Sequence, residues 1–474
     1  MNTNFKTNFK NKASQHQVGK WRVGRQRFIR IQKPIDFDLT PEKEEVLEIL
    51  ENTNQNIFLT GRAGTGKSNF LKYFRATSKK NMVVLAFTGV AALNVQGQTI
   101  HSFFKFHPQT TIDGIHKRRG KGTEIYKEID LIIIDEISMV RADLLDFIDK
   151  FMRLNGNYPQ EPFGGVQILA IGDLYQIPPI VNREEERFFT EYYKSPYFFD
   201  SHSYQQANFI QKELTEMYRQ DQKVQNDFIK TLDNLRTCTF TQKDIDLINT
   251  RFQADYKKPK GEFVISLVPT NSKAHTINME ELNKLKTKER VYRGTVSGKF
   301  AEKNLPTAKK LLLKEGAQIM LLNNDPEGKW VNGDLAKIIK TAYDFVRVLF
   351  DDGSLEDIRS IKRDSVKFTF NEATEKIEPE VVGSFTQLPI KLAWAVTIHK
   401  GQGKTFDKLH LDFGNGLFAS GQAYVALSRC RTLEGITLTS LLKKDYIFTD
   451  DRIKEFMKKK EVTNGLPLNS ITLK

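Results

Sequence analysis

The stretch IFLTGRAGTGKSNFLKYFR, residues 57–75, decides the fold. A run of strand length, Ile57–Thr60, enters the loop Gly61-Arg62-Ala63-Gly64-Thr65-Gly66-Lys67-Ser68, which opens onto apolar residues at helical spacing, Phe70, Leu71 and Phe74. Strand, G-x-x-x-x-G-K-S loop and helix together form the phosphate cradle of nucleotide-binding proteins. The glycines let backbone N–H groups curl around phosphate oxygens, and the helix N-terminus adds positive potential. Lys67 neutralises the β- and γ-phosphates, and Ser68 supplies a hydroxyl for Mg²⁺. Residues Gly61 to Ser68 are therefore candidates for holding a nucleoside triphosphate.

Working outward, Met82–Phe87 (MVVLAF), Leu131–Ile134 (LIII) and Val166–Ile171 (VQILAI) are further strand-length apolar runs separated by helical patterns. This alternation predicts an α/β unit with a parallel sheet over about 36–212. Each run ends in small, hydroxyl or acidic residues: Thr88, Asp135 and Gly172-Asp173. Ligands bind beyond the carboxyl ends of such strands, so these ends describe one site. A buried strand ending in Asp135-Glu136 pays desolvation unless a cation or a reaction uses the acids. Asp135 is assigned to Mg²⁺ and Glu136 to polarising the attacking water, while Gln176 in GDLYQ could bring an amide to the γ-phosphate.

A second set of runs, Phe263–Val268, Leu409–Phe413 and Ile436–Leu438, reads as another α/β unit over 213–285 and 388–455. It is split by a segment of short alternating stretches, about 286–387, in which Asp352-Gly353 sits where a hairpin turn would, so an inserted all-β domain is expected. Residues 1–35 read as a basic flexible arm, with an organellar signal as the alternative, and 456–474 as a basic tail. With 72 Lys+Arg against 58 Asp+Glu the chain carries a net +14, which nominates a polyanion, nucleic acid or an anionic membrane surface. Cys238 and Cys430 fit neither a disulfide framework nor a structural zinc site, and no apolar stretch is long enough for a membrane helix. A soluble intracellular protein, cytoplasmic or at the nucleoid, follows as the expectation.

Eight segments then occur in a specific order: TGVAALNVQGQTIHSFF (88–104), LIIIDEIS (131–138), GDLYQIPP (172–179), EMYRQ (216–220), VPTN (268–271), GAQIMLLNNDPEGKWVNGDLAKI (316–338), LAWAVTIHKGQGKTFD (392–407) and AYVALSRCRTLEGI (423–436). The chain resembles, over about 36–450, the PIF-one (petite integration frequency) helicases of the RecD-like branch of helicase superfamily one. The resemblance implies two RecA-like P-loop domains with ATP and Mg²⁺ between them and a small SRC-homology-type β-barrel in the second. It also implies 5′-to-3′ translocation on single-stranded DNA and the opening of forked duplex, with roles in repair, recombination and genome maintenance. It makes Arg219 and Arg429 arginine fingers and brings Gln402 and Gly403 to the nucleotide. It makes Thr88, Gly89, His101, Ser102, Pro269, Thr270, Asn271, Thr397 and His399 strand-contacting, and 101–129 the wedge segment, with Lys117, Arg118, Arg119 and Lys121 as a basic loop. Phe103, Phe104 and Phe106 read as core.

The chain departs from the family at Lys43, where a Gln often reads adenine, and at Gly401, where HKSQG becomes HKGQG. A monomer acting on DNA with no membrane partner is expected. Two other activities share these motifs: a translocase that displaces proteins with little unwinding, and a nucleic-acid-binding ATP switch.

Overall fold

The computed structural model describes residues 39–463 apart from 108–109, 121, 182, 217–225, 260, 372–373, 415 and 418, together with the two-residue strands Arg22–Val23 and Gln26–Arg27. Lys121, Arg219, most of the 1–35 arm and everything after 463 lie outside the described residues.

The run around the P-loop becomes the strand Ile57–Gly61 in a six-stranded, wholly parallel sheet. In spatial order the strands are Gln98–Thr99, Met82–Ala86, Leu131–Asp135, Gln167–Ile171, Ile57–Gly61 and Ile210–Leu214. Such strands are covered on both faces, which is why Ile132, Ile133 and Ile134 can all be apolar and are all fully buried. The last strand pairs Gly61 with Leu214, so this sheet runs two residues past the boundary at 212 read from the sequence.

A second parallel sheet orders Ala395–Thr397, Ile265–Val268, Leu409–Leu411 and Ile436–Leu438. Between its first and later strands the chain makes the antiparallel insert. One sheet of the insert orders Leu355–Arg359, Phe345–Leu349, Leu335–Thr341, Gln318–Leu321 and Ile390–Leu392. The other is built on a long hairpin, Ile361–Asn371 with Lys376–Gln387, flanked by Thr295–Gly298. The turn at Gly353 (φ +83°) joins Phe345–Leu349 to Leu355–Arg359. Because Ile390–Leu392 pairs with Gln318–Leu321, the insert extends to 392 and not 387. The boundary is hidden in the sequence because IKLAWAV carries no turn residue between the two sheets.

The expected tail from 456 is a second correction. A helix, Asp451–Thr463, returns to the first domain, where Ile453 and Phe456 enter its core and the Phe456 ring stacks on Phe199 at 4.1 Å. Arg452 anchors it through two hydrogen bonds to Asp200. The Lys run 458–460 hides an apolar stripe at Ile453, Phe456 and Met457.

The insert also reaches the first domain. The Phe368 amide donates to Gln98 Oε1 at 3.1 Å, and the Asn81 side chain bonds the backbone of Glu375 and Ile377. Among the described residues no helix is long and apolar enough to cross a membrane.

Candidate functional site

At the P-loop, glycine is required by space. Gly61 has φ +148°, and a Cβ there would stand 2.6 Å from the Leu214 carbonyl oxygen. Gly66, at φ +84°, turns the chain into the helix Lys67–Thr77. Lys67 Nζ donates to the loop's own carbonyls, Gly61 O at 2.5 Å and Arg62 O at 2.9 Å. Burial holds its pKa below the ordinary lysine value, against the pull of Asp173, Glu136 and Asp135. Ser68 is exposed in the first turn of that helix.

Asp135 ends its strand beside Ile171, and Glu136 follows in a left-handed conformation, φ +53°, which costs a non-glycine about 1–2 kcal/mol. Burial pushes both carboxyls up, and Glu136 further because Asp135 lies beside it. Among the described residues neither makes an ion pair with Lys or Arg. Two desolvated, unpaired carboxylates with a nearby serine hydroxyl are a hard-oxygen donor set suited to Mg²⁺. No cluster of three or more His, Cys, Asp or Glu could hold a metal alone among the described residues, as expected where phosphates and water complete the shell.

The second domain closes over this site through a chain of polar contacts. Gln402 Nε2 donates to Gln176 Oε1 at 2.6 Å and lies 3.4 Å from Glu136 Oε2. Gln176 Nε2 donates to Asp173 Oδ2 at 3.1 Å. Asp173 Oδ1 is ion-paired at 3.1 Å with Arg236, whose guanidinium lies 4.6 Å over the Tyr175 ring. Both charges are fully buried, and although burial opposes it, Asp173 above all keeps the Arg236 pKa above its ordinary value. Arg236 lies on the helix Asn226–Thr237, whose Asp233 pairs with P-loop Arg62 at 3.0 Å. The Ala63 amide donates to Tyr424 Oη at 3.3 Å. A cavity of about 30 Å³ among Arg62, Ala63, Asp233, Arg236 and Tyr424 marks this interface.

Sequence reasoning missed Arg236, Asp233 and Tyr424. A single Arg near a helix C-terminus reads as an ordinary dipole partner, and nothing in the spacing distinguishes it. Arg429 is at the cleft and acts electrostatically on Glu136, while its guanidinium donates to Val425 O (2.9 Å) and Ser428 Oγ (2.8 Å) of its own domain. Gly403, at φ +76°, follows Gln402 directly. Lys43 is buried on the first helix, Pro41–Asn52.

The strand-contacting candidates gather at adjacent strand ends in both sheets. In the first, Met82–Ala86 pairs with Gln98–Thr99, which brings Thr88 and Gly89 beside His101 and Ser102. In the second, Thr397 pairs with Val268, which brings Thr397 and His399 beside Pro269, Thr270 and Asn271. The hydroxyls of Thr88, Thr270 and Thr397 cap the turns that follow. Burial lowers the His399 pKa, so its ring is neutral at neutral pH.

The insert leans on this edge. Asn304 covers Gly89 so closely that a Cβ there would lie 2.1 Å from Asn304 Oδ1. The wedge segment is strapped to the first domain by Ile115, Ile125 and Tyr126, which enter its core, and by Arg118, which donates to Phe104 and Lys105 carbonyls; Lys117 and Arg119 are exposed. Phe103, Phe104 and Phe106 are core.

Residues 38–246 match the family model of the PIF1-like helicase. The ATP-dependent DNA helicase Pif1 of Bdellovibrio bacteriovorus is 30% identical over 437 residues, covering 90% of this chain and 93% of that protein. Its counterpart in Campylobacter jejuni is 30% identical over 447 residues, covering 85% and 94%. Of solved structures, Bacteroides sp Pif1 in complex with ADP-AlF4 superposes with a TM-score of 0.84 at 34% identity, over 91% of this chain and 98% of that one. Bacteroides Pif1 bound to ssDNA gives 0.64 at the same identity over 90% and 98%. With equal sequence match, unequal superposition reflects how the parts are arranged, and the arrangement here is nearer to the former.

Proposed function

The chain belongs to the PIF1-like helicase family, and from that premise we propose that it is an ATP-dependent DNA helicase moving 5′ to 3′ along single-stranded DNA. It acts on tailed and forked duplex in repair, recombination and genome maintenance. The observation that carries this reading is the position of Gln402. Its amide joins Gln176 and approaches Glu136 in the nucleotide cleft, while His399, on the same turn Ile398–Gly401, stands at the strand-binding edge. Four residues of chain therefore link hydrolysis to grip.

Lys67 leaves its loop carbonyls for the β- and γ-phosphates of ATP. Glu136, ionised, accepts a proton from the attacking water, and Gln176 orients that water through its amide. Arg429 and Arg219 bring positive charge from the second domain to the γ-phosphate. Ser68 and Asp135 hold Mg²⁺, which neutralises developing charge on the phosphates. Charge donated across the cleft rewards closure only while the γ-phosphate is attached, so hydrolysis lets the cleft open. Short hydroxyl, amide and backbone groups at Thr88, Gly89, His101, Ser102, Pro269, Thr270, Asn271, Thr397 and His399 grip phosphates without reading bases, as an enzyme passing any sequence needs.

The test is unwinding of duplexes with a 5′ or a 3′ tail, together with DNA-stimulated ATPase. Unwinding from the 3′ tail alone would overturn the polarity. Glu136→Gln should bind ATP and hardly hydrolyse it; near-normal turnover removes Glu136 from the role of base. The strapped wedge favours one alternative, a translocase with little unwinding, which strong DNA-stimulated ATPase without strand separation would select.

A further inference from the structure

Where the strand Ile390–Leu392 returns the chain from the insert to the second parallel sheet, four cations gather with few anions. Lys391 lies on that strand, Lys400 and Lys404 follow Thr397, and Arg363 comes across from the long hairpin. Lys400 and Lys404 set the electrostatic surroundings of Lys391, and Arg363 acts on Lys404, with Asp334 the acid facing it. Lys404 Nζ donates to Asn332 Oδ1 at 2.5 Å, and its stem lies along Gly333. Arg363 donates to the Leu322 carbonyl.

The Lys391 side chain has no hydrogen bond or ion pair among the described residues. Burial, then Lys404 and Lys400, bring its pKa down to about 7. Cations packed side by side and partly withdrawn from water are costly, and a bound anion is what offsets such an arrangement. The neighbours identify which anion. The same turn carries Thr397 and His399 on the strand-binding edge, whereas the nucleotide cleft is met by Gln402. The cations also extend from the second sheet across to the hairpin, a spread suited to a polymer of phosphates. Three of the four are lysines, point charges that hold phosphate without reading bases.

We propose that Lys391, Lys400, Lys404 and Arg363 form a phosphodiester-binding seam that holds the backbone of single-stranded DNA between the insert and the second sheet. The seam rests on the helicase reading above and adds to it a binding surface outside the strand ends.

The experiment is binding of a fluorescent oligothymidylate to the full chain between about 50 and 200 mM salt, the range over which phosphates neutralised by the protein are counted by slope. Removing one lysine–phosphate interaction on a single strand should reduce the log–log slope by about 0.7, so across that fourfold change Lys391→Met loses about 2.6-fold less affinity than the parent. Lys404→Met should behave alike and reports the slope independently of whether Lys391→Met folds. Lys391→Arg should keep the parent slope, as should Lys340→Met, an exposed lysine of the insert. The KM for ATP should not move in any variant. A parent slope in both Met variants overturns the seam while leaving the helicase reading intact. So does a severalfold rise in the KM for ATP with the slope unchanged, which would assign the cations to nucleotide phosphate. A parent that binds no single-stranded DNA at any salt overturns the helicase reading, and the seam with it.

Discussion

Replacing Arg236 by Gln should open the cleft. Both members of the Arg236–Asp173 pair are buried, with side-chain exposures of 4% and 0%, and removing one partner of such a pair costs about 3–5 kcal/mol if the other stays buried. The remaining interactions across the cleft are weaker. Arg62–Asp233, about one-third exposed on both sides, contributes about 0–1 kcal/mol. The hydrogen bonds Ala63–Tyr424 and Gln402–Gln176 contribute about 0.5–1.5 kcal/mol each, for a total of about 1–4. The loss is at least comparable to what remains, and the molecule has an escape that a single-domain core lacks. By opening, it returns Asp173 to water without unfolding either sheet. The variant should therefore melt near the parent temperature while the cleft opens, with the open-to-closed ratio raised on the order of 100-fold for a loss of about 3 kcal/mol. Hydrogen exchange of segments 172–178 and 226–237 measures this, and adding Asp173→Asn to Arg236→Gln should restore much of the protection by removing the stranded charge. Exchange within about fivefold of the parent in the single variant, or a double variant worse than either single, would refute the reasoning.

The other predictions are more local. Glu136→Gln should raise the melting temperature in EDTA at pH 8 and leave it unchanged at pH 4: a carboxyl whose folded pKa lies above its unfolded value loses stability as pH rises between the two, and the amide does not. Phe456→Ala should destabilise the first domain by about 3–5 kcal/mol, read by urea denaturation, because its ring stacks on Phe199 inside that core. Cys430, buried with its thiol pushed up to about 12, should resist alkylation at pH 8 in the folded protein and react after denaturation. Gly401→Ser should fold normally, since its Cβ would meet the movable Leu267 Cδ2 at 3.2 Å and the position has no positive φ; a large loss of stability would show that glycine is needed there.

What could be read from the sequence follows from the range of the forces involved. The P-loop, the Asp135-Glu136 strand end and the apolar runs are local patterns, and a parallel sheet converts them directly into a site because every strand ends on the same side. The boundaries at 212, 387 and 456 fall short where no turn residue marks the change, or where a lysine run masks an apolar stripe, as at Phe456. Arg236 is illegible for a different reason. Its meaning lies in Asp173, 63 residues earlier in the chain, and only the meeting of two domains brings them together.

That illegible pair also explains an economy of the site. Lys67 and Arg236 sit around the same acids, Asp173 chief among them, so the closed cleft is already balanced by protein charges. ATP brings several negative charges to this point, and Lys67 must turn from its loop carbonyls to receive them. The Gln402–Gln176–Asp173–Arg236 chain then transmits any shift of Asp173 to the amide that orients water, and from Gln402 to the turn carrying His399. A helicase built this way does not need DNA to touch the nucleotide. Asn304 must leave Gly89 for a strand to reach it, and the arrangement of insert, turn and cleft that follows decides whether Gln176 is held for hydrolysis.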